Sequence, residues 1–463
     1  MTIFSGWDYA NVQQSLLTLA ADDLSLMTDL YQLTMAACYV GEGIEQRRAS
    51  FELFTRRLPE GFGYLIAMGL TQALEYLEKL HFTPAQVESL KQTGIFDHAP
   101  EQFWQLLLEA RFTGDVYAVP EGSAVFANEP LLRIEAPLWQ AQLVETYLLN
   151  TINYQTLVAT RAARMRDVAG ESATLLEFGT RRAFSPQGAV WAARAALAGG
   201  FDATSNVLAA LQLGMQPSGT IAHALVMALA ATEGSEDQAF AAFHRYFPGA
   251  ALLIDTYDTV AAAARLAVKV NSGELELAGV RLDSGDLVEL SQKVRSHLPN
   301  VPIFASGDLD EWEIARLKAA GAEIDSYGLG TKLVTGTPVN GVYKLVEIDD
   351  IPVMKQSSGK VTFPGRKQIF RTVANGKVTA DRLGLMDENP ENEQPLLEIF
   401  MKGGKRLKPQ ENIVEIRQRT SATVASLPEE VRRIEKPIAL ALEISSSLEE
   451  LVERTKNREL VNS

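Results

Sequence analysis

The sequence predicts an α/β protein built on parallel βα units and closed as a (β/α) barrel. Three observations predict it. Strand-like segments (Ala173–Phe178, Ala250–Asp255, Leu277–Leu282, Val301–Ala305 and Glu323–Tyr327) recur between helical ones. They are near-continuously apolar rather than alternating, as strands buried on both faces are. Polar, glycine-containing runs follow one strand end after another, which favours a barrel. An open doubly wound sheet fits the same periodicity and stands as the alternative.

In chain order, residues 12–39 are rich in Leu, Ala and Met and read as helical, with a break near Asp22–Asp23. Residues 49–58 have strand character, with Phe51, Leu53 and Phe54 ahead of Arg56–Arg57. Residues 64–80 read as an amphipathic helix, and 138–169 as a long helix. Between them, short β-favouring pieces of 112–137, separated by Pro, Gly and Asn, read as hairpins. Helices of the repeating units are expected over 187–198, 260–270, 286–297 and 311–320. Residues 342–348 and 351–354 suit a hairpin around Asp349–Asp350, 359–371 are basic, and the chain beyond Ser421 is charged and helical. The expected division is an N-terminal α/β domain over 1–137, a barrel over 138–340 and a C-terminal segment over 341–463.

With 463 residues the chain exceeds what one hydrophobic core usually supports. Its formal net charge of -15 argues against nucleic acid or an anionic membrane as partner, so an anionic ligand needs a local basic pocket. No apolar run has membrane-spanning length and no leader pattern is present, and the single Cys38 cannot form an internal disulfide. The expectation is a soluble, cytoplasmic enzyme or ligand-binding protein.

The strand-end loops carry the chemistry. They are 177–182 (Glu-Phe-Gly-Thr-Arg-Arg), 217–223, ending at His223, 255–258, 281–286 (Arg-Leu-Asp-Ser-Gly-Asp), 306–308 (Ser-Gly-Asp) and 327–332 (Tyr-Gly-Leu-Gly-Thr-Lys). Any one Ser-Gly-Asp run also makes a helix cap. Several such loops on consecutive strand ends, interleaved with Arg and Asp, point instead to phosphate and a Mg²⁺ bridging a diphosphate. His223 stands in an apolar stretch, where a core histidine is the commoner reading, but Ser218-Gly219-Thr220 set it beside an anion site.

Together with 28–34 (Thr-Asp-Leu-Tyr-Gln-Leu-Thr) and 51–59 (Phe-Glu-Leu-Phe-Thr-Arg-Arg-Leu-Pro), these motifs resemble, in order, those of the nicotinate phosphoribosyltransferases. The resemblance implies a type II phosphoribosyltransferase fold: an irregular (β/α) barrel with a smaller α/β domain made from both chain ends. It implies a homodimer with shared active sites. It also implies joining of nicotinic acid and 5-phosphoribosyl 1-diphosphate (PRPP) into nicotinate mononucleotide and diphosphate, with Mg²⁺ and coupled ATP hydrolysis.

By that resemblance Tyr31, from the partner subunit, and Phe178 sandwich the pyridine ring. Arg181 and Arg281 take the carboxylate, to which a guanidinium fork is matched, and Thr220 adds a hydroxyl. Arg56 reaches the partner's PRPP site, with Arg57 an alternative. Ser306, Gly307, Asp308, Gly328, Gly330 and Thr331 hold PRPP, Asp308 toward ribose or metal rather than phosphate. Lys332, Lys344 and Lys355 are weaker candidates. Asp283 stabilises charge at the reacting sugar or meets the Mg²⁺, and His223 matches a phosphorylated histidine.

Two other readings compete. A nicotinamide phosphoribosyltransferase places an acid near the base, where this chain has Thr204-Ser205-Asn206, although Asp202 is close by. A phosphate-binding barrel of other chemistry, such as a Schiff-base aldolase, needs a mid-strand Lys that these strands lack.

Overall fold

Six short parallel strands carry the repeat. In a computed structural model describing residues 17–355 and 362–462, their order is Ala203–Thr204, Thr174–Glu177, Ser326–Leu329, Ile303–Ser306, Val280–Leu282 and Leu252–Leu253. Each neighbouring pair is parallel. Helices Pro186–Ala198, Thr259–Asn271, Leu287–His297 and Glu311–Ala319 follow strands of this sheet. Each starts at a polar cap whose side chain accepts from the first-turn backbone: Ser185, Asp258, Asp286 and Asp310 respectively. Asp286 is thus occupied in capping. Leu175, Leu252, Leu253, Val280, Leu282, Ile303, Ala305 and Leu329 pack in a common core with helix faces such as Ala192, Ala195, Ala262 and Leu266.

A seven-stranded antiparallel sheet draws on both ends of the chain, in the order Ile351–Pro352, Gly341–Ile348, Arg48–Thr55, Pro130–Pro137, Asp115–Ala118, Glu398–Lys402 and Lys405–Arg406. The expected hairpin forms around Asp349–Asp350, both at positive φ. The basic run 402–408 lies on the edge hairpin, where Arg406 pairs with Glu78 and Lys408 with Glu398. A four-stranded sheet adds Gln394–Pro395, Lys367–Ala374, Lys377–Leu385 and Leu442–Ile444.

Four expectations need correction. The segment 64–80 opens as the strand Leu65–Ile66, paired with Ala124–Val125, and turns helical only at Leu70, because Glu121 takes the Gly69 amide and the Thr71 hydroxyl. The 138–169 stretch is two helices, Leu138–Leu143 and Glu145–Ala169, joined at Val144. The strand expected at 323–327 runs instead over Ser326–Leu329, since the Asp325 side chain is held by Ile303 N–H and Arg295 at the sheet's other end. The tail beyond Ser421 includes the strand Leu442–Ile444. Of the first helical segment, residues 12–16 lie outside the described residues; the rest forms a short turn at Ala21–Asp23 and a helix over Leu30–Gly41. Among the described residues no helix is long and apolar enough to cross a membrane.

Candidate active site

The C-terminal ends of the parallel strands open into one cleft of about 560 Å³. Thr174–Glu177 leads into Phe178, Thr180, Arg181 and Arg182, and Ala203–Thr204 into Ser205. Gly219, Thr220, Ile221 and Ala222 contribute from the segment ahead of the helix His223–Glu233. Arg281 and Asp283 come from the next strand, Ser306, Gly307 and Asp308 from Ile303–Ser306, and Gly328, Gly330 and Thr331 from the last.

Two carboxylates organise the floor. Asp255 accepts from the backbone N–H of Asp283 (2.9 Å) and from Ser284 Oγ (2.7 Å). Asp283 in turn accepts from Ser306 Oγ, so three consecutive strand ends are joined through side chains. At Gly307, φ is +97° and a Cβ would sit 2.4 Å from the Asp283 carbonyl oxygen, so only glycine turns the chain there. Asp308 follows at φ 47°, an unusual value for a non-glycine residue and of the kind that gathers at ligand sites. A Cβ on Gly328 would meet the Phe178 ring at 2.5 Å, so this glycine lets the ring lie against the strand.

Arg281 lies mid-strand between Leu253 and Phe304. Burial pulls its guanidinium below the usual range; Asp283 and then Asp255 oppose this, while Arg181 adds to it. Its Nε is buried without a hydrogen-bond partner among the described residues, leaving a directional cation unspent at the cleft. His223 begins its helix immediately after the lining residue Ala222. Its Nδ1 is 3.0 Å from Thr256 Oγ1 and its Nε2 is 3.9 Å from Asp255 Oδ1, which is buried without a hydrogen-bond partner among the described residues. The imidazole therefore stands beside the same aspartate that positions Asp283.

The remaining expected residues lie elsewhere in the chain. Tyr31 is 46% exposed, with its hydroxyl 3.2 Å from Glu145; burial, then the Glu145 charge, push that hydroxyl up to about 12. Arg56 packs over Phe54 and meets Thr362. Neither lines the cleft, and nor do Lys332, Lys344 or Lys355. Among the described residues no group of three or more His, Cys, Asp or Glu is gathered as a metal cage. A Mg²⁺ that keeps water and phosphate oxygens in its shell needs only one or two carboxylates, and Asp283 at the cleft fits that demand.

Residues given no role from sequence also matter. Buried Glu177 accepts from Gly179 N–H and Thr204 Oγ1, fixing the Phe178–Arg182 loop against the Thr204–Asn206 loop. Burial raises its carboxyl pKa against those two hydrogen bonds. Nothing in a Leu-Leu-Glu-Phe strand separates such a glutamate from a solvated one. Asp255 heads the strand-end loop 255–258, and that place was the available signal.

Residues 26–153 match the nicotinate phosphoribosyltransferase N-terminal domain, 173–305 the nicotinate phosphoribosyltransferase family, and 390–452 that enzyme's C-terminal domain. A nicotinate phosphoribosyltransferase of Bacillus subtilis is 44% identical, over 82% of this chain and 79% of its own. One from Mycobacterium tuberculosis is 40% identical over 92% and 94% respectively. The crystal structure of human nicotinic acid phosphoribosyltransferase superposes with a TM-score of 0.82 at 30% identity, covering 92% of this chain and 99% of that one. On motif order, site geometry and these matches, the chain belongs to the nicotinate phosphoribosyltransferase family.

Proposed function

We propose that this chain is a nicotinate phosphoribosyltransferase that joins nicotinic acid and PRPP into nicotinate mononucleotide and diphosphate, with ATP hydrolysis coupled through His223. The observation that carries the reading is the convergence of Phe178, Arg181, Arg281, Asp283, the Ser306–Asp308 turn and Gly330–Thr331 on one cleft.

In this reading the pyridine ring lies against Phe178 and its carboxylate meets Arg281, whose unpaired Nε makes it the better donor, with Arg181 and Thr220 at the rim. The phosphate of PRPP meets the Ser306–Gly307 turn, Gly328, Gly330 and Thr331, with Asp308 at the ribose hydroxyls. The pyridine nitrogen forms its bond to ribose C1 as the C1–O bond to diphosphate breaks, leaving positive charge on the sugar. Asp283, held by Ser306 and by its own amide on Asp255, sets a fixed carboxylate beside that charge. A bound Mg²⁺ would neutralise the departing diphosphate, with Asp283 as its protein ligand. His223, oriented by Thr256 and Asp255, would attack the γ-phosphorus of ATP, releasing ADP, and hydrolysis of the phosphohistidine would restore the imidazole.

Tyr31 and Arg56 would enter the cleft from a second copy in a homodimer. Exposed Phe184, Val207, Leu208 and Leu211, on segments continuing from cleft residues, suit a surface covered by that copy. The six parallel strands are read as the hydrogen-bonded arc of an incomplete barrel, with two-residue edge strands Ala203–Thr204 and Leu252–Leu253. The cytoplasm, which supplies ATP and PRPP, is the expected compartment.

The acid is favoured over the amide by the loop after Ala203–Thr204. Thr204 is spent on Glu177 and Asn206 on capping Val207–Gln212, so Ser205 alone faces the cleft. Asp202 is held by Arg166 and Arg417 and does not line it. The test compares nicotinic acid, nicotinamide and quinolinic acid with PRPP and Mg²⁺, with and without ATP. Product from nicotinic acid, increased by ATP, is expected, whereas a preference for nicotinamide would overturn the assignment.

A further inference from the structure

One face of the long helix Glu145–Ala169 reaches both loops on the proposed phosphate side of the cleft from behind. Arg161 Nη1 donates to the carbonyl oxygen of Lys332, the residue after Thr331, and the guanidinium fills the space beside Gly336, where a Cβ would lie 2.3 Å from Nη2. Two turns earlier, Tyr154 donates to Val334 O at 3.1 Å, in the same short helix Thr331–Val334. One turn later, Arg164 donates from Nε to Glu311 Oε1 at 2.9 Å. Glu311 is the first residue of the helix Glu311–Ala319, directly after Ser306–Asp310.

The Arg164–Glu311 pair is fully enclosed, with side chains 0% and 1% exposed. Its guanidinium packs against the rings of Phe62 and Trp312, with centroids at 4.8 and 5.6 Å. Arg164 Nη1 and Nη2, Glu311 Oε2 and Arg161 Nε are buried without hydrogen-bond partners among the described residues. An ion pair so dry contributes little net stability, and apolar residues of like volume would serve a core as well. What the pair does supply is a fixed direction: a guanidinium cannot slide along its carboxylate as methyl groups slide past each other.

We propose that Arg161 and Arg164 are positioning residues for PRPP, a rigid rear clamp that sets the spacing between the Ser306–Asp308 turn and the Gly330–Thr331 loop so that one phosphorylated sugar touches both. The inference rests on the PRPP reading of the cleft. Neither residue lines the cleft, so each acts only through the loop it holds. The nicotinate side touches the same segment, through Phe178 N–H on the Leu329 carbonyl oxygen, but has a support of its own in Glu177. Loss of the clamp should therefore weaken PRPP far more than nicotinate.

The same helix offers an internal control. Arg166 is more fully hydrogen-bonded, to Gly170 O, Ala173 O, Gly200 O and Asp202, at the end of the strands away from the cleft. Steady-state kinetics should show Arg161→Gln raising KM for PRPP about tenfold, with KM for nicotinate within about twofold of the unaltered protein, since small misplacements of a substrate-holding loop are costly. Arg161→Lys, which can still donate to the Lys332 carbonyl, should recover part of the loss. Arg164→Lys should move PRPP in the same direction, and Arg166→Gln should lower Tm without shifting either KM. Binding of diphosphate alone, by calorimetry, reads the same loops without turnover and should weaken about tenfold in Arg161→Gln. An unchanged diphosphate affinity, or equal rises in both KM values, overturns the inference. Should the unaltered protein make no nicotinate mononucleotide while Arg161→Gln still weakens diphosphate, the substrate assignment fails and the clamp stands. Should Arg164 variants not fold, Arg161→Gln decides alone, because its side chain is only partly buried.

Discussion

Replacing Arg281 by alanine should separate the proposed recognition of the acid from everything else in the cleft. Arg281 presents a buried, unpartnered Nε, and the charges that act on it are Asp283, Asp255 and Arg181. Its removal takes away a charge-assisted hydrogen bond and leaves the substrate carboxylate facing two aspartates. Such a loss costs about 3 kcal/mol, the middle of the range for an unpaired buried charge. At about 1.4 kcal/mol per decade, that is roughly a hundredfold fall in kcat/KM for nicotinate. The assay is initial-rate kinetics with each substrate varied at saturating levels of the other, so that nicotinate and PRPP are read independently. Arg281→Lys should recover less than half of the loss in free energy, since an ammonium cannot fork to a carboxylate. A PRPP defect equal to the nicotinate defect would refute the reasoning, for it would mean that Arg281 supports the whole floor rather than the carboxylate.

Three further outcomes are expected. His223→Ala should abolish ATP hydrolysis, measured by ADP release, while slow formation of nicotinate mononucleotide persists; undiminished ATP turnover would remove His223 from its role. Mixing inactive Tyr31→Ala with inactive Asp283→Asn should restore about a quarter of the activity through hybrid dimers if sites are shared across subunits, and no recovery after subunit exchange would place each site within one chain. Burial, then the facing Asp381, push the Glu129 carboxyl well above its usual range, with Arg371 opposing. The native state thus holds a proton that the unfolded chain releases, so this contribution to stability is full below the unfolded pKa and lost as pH rises through the raised value. Glu129→Gln keeps the acceptor for Phe126 N–H and adds a donor at the position where Oε1 lacks a partner among the described residues, so Tm should rise by about 1–2 °C near pH 8 and little near pH 4.5.

The sequence carried the parallel repeat and the loops because both are local patterns. An apolar run ending in Arg-Leu-Asp-Ser-Gly-Asp states a strand, a turn and a cap without reference to distant residues. What it could not state was the use of each polar group. Asp286 and Asp308 both close a Ser-Gly-Asp run, yet one caps Leu287–His297 and the other, at positive φ, lines the cleft. Glu177 looks like any strand-end acid until Thr204 and Gly179 are folded over it. One local signal went unused: Asn375–Gly376, both at positive φ, close the hairpin of Lys367–Ala374 and Lys377–Leu385. Tyr31 and Arg56 mark the opposite limit: neither lines the cleft of its own chain, so the service to a neighbouring copy proposed for them rests on the resemblance alone.

The expectation that basic residues crowd one cleft meets a more economical arrangement. Arg181, Arg182 and Arg281 line it against Asp283 and Asp308, and none of the three lysine candidates does. In the proposed reading, phosphate recognition would be left to hydroxyls and glycine turns, whose dipoles are fixed and carry no net charge. The proposed reaction asks for this balance. Positive charge grows on the sugar while negative charge departs as diphosphate, so a strongly cationic cleft would oppose the first and retain the second. In the proposed reading an aspartate held by Ser306 and Asp255 would support the sugar, and an arginine kept for nicotinate would supply affinity away from the breaking bond. Release of diphosphate then becomes the step most open to control, and His223, resting on the same Asp255 as the backbone of Asp283, is where ATP would exert it.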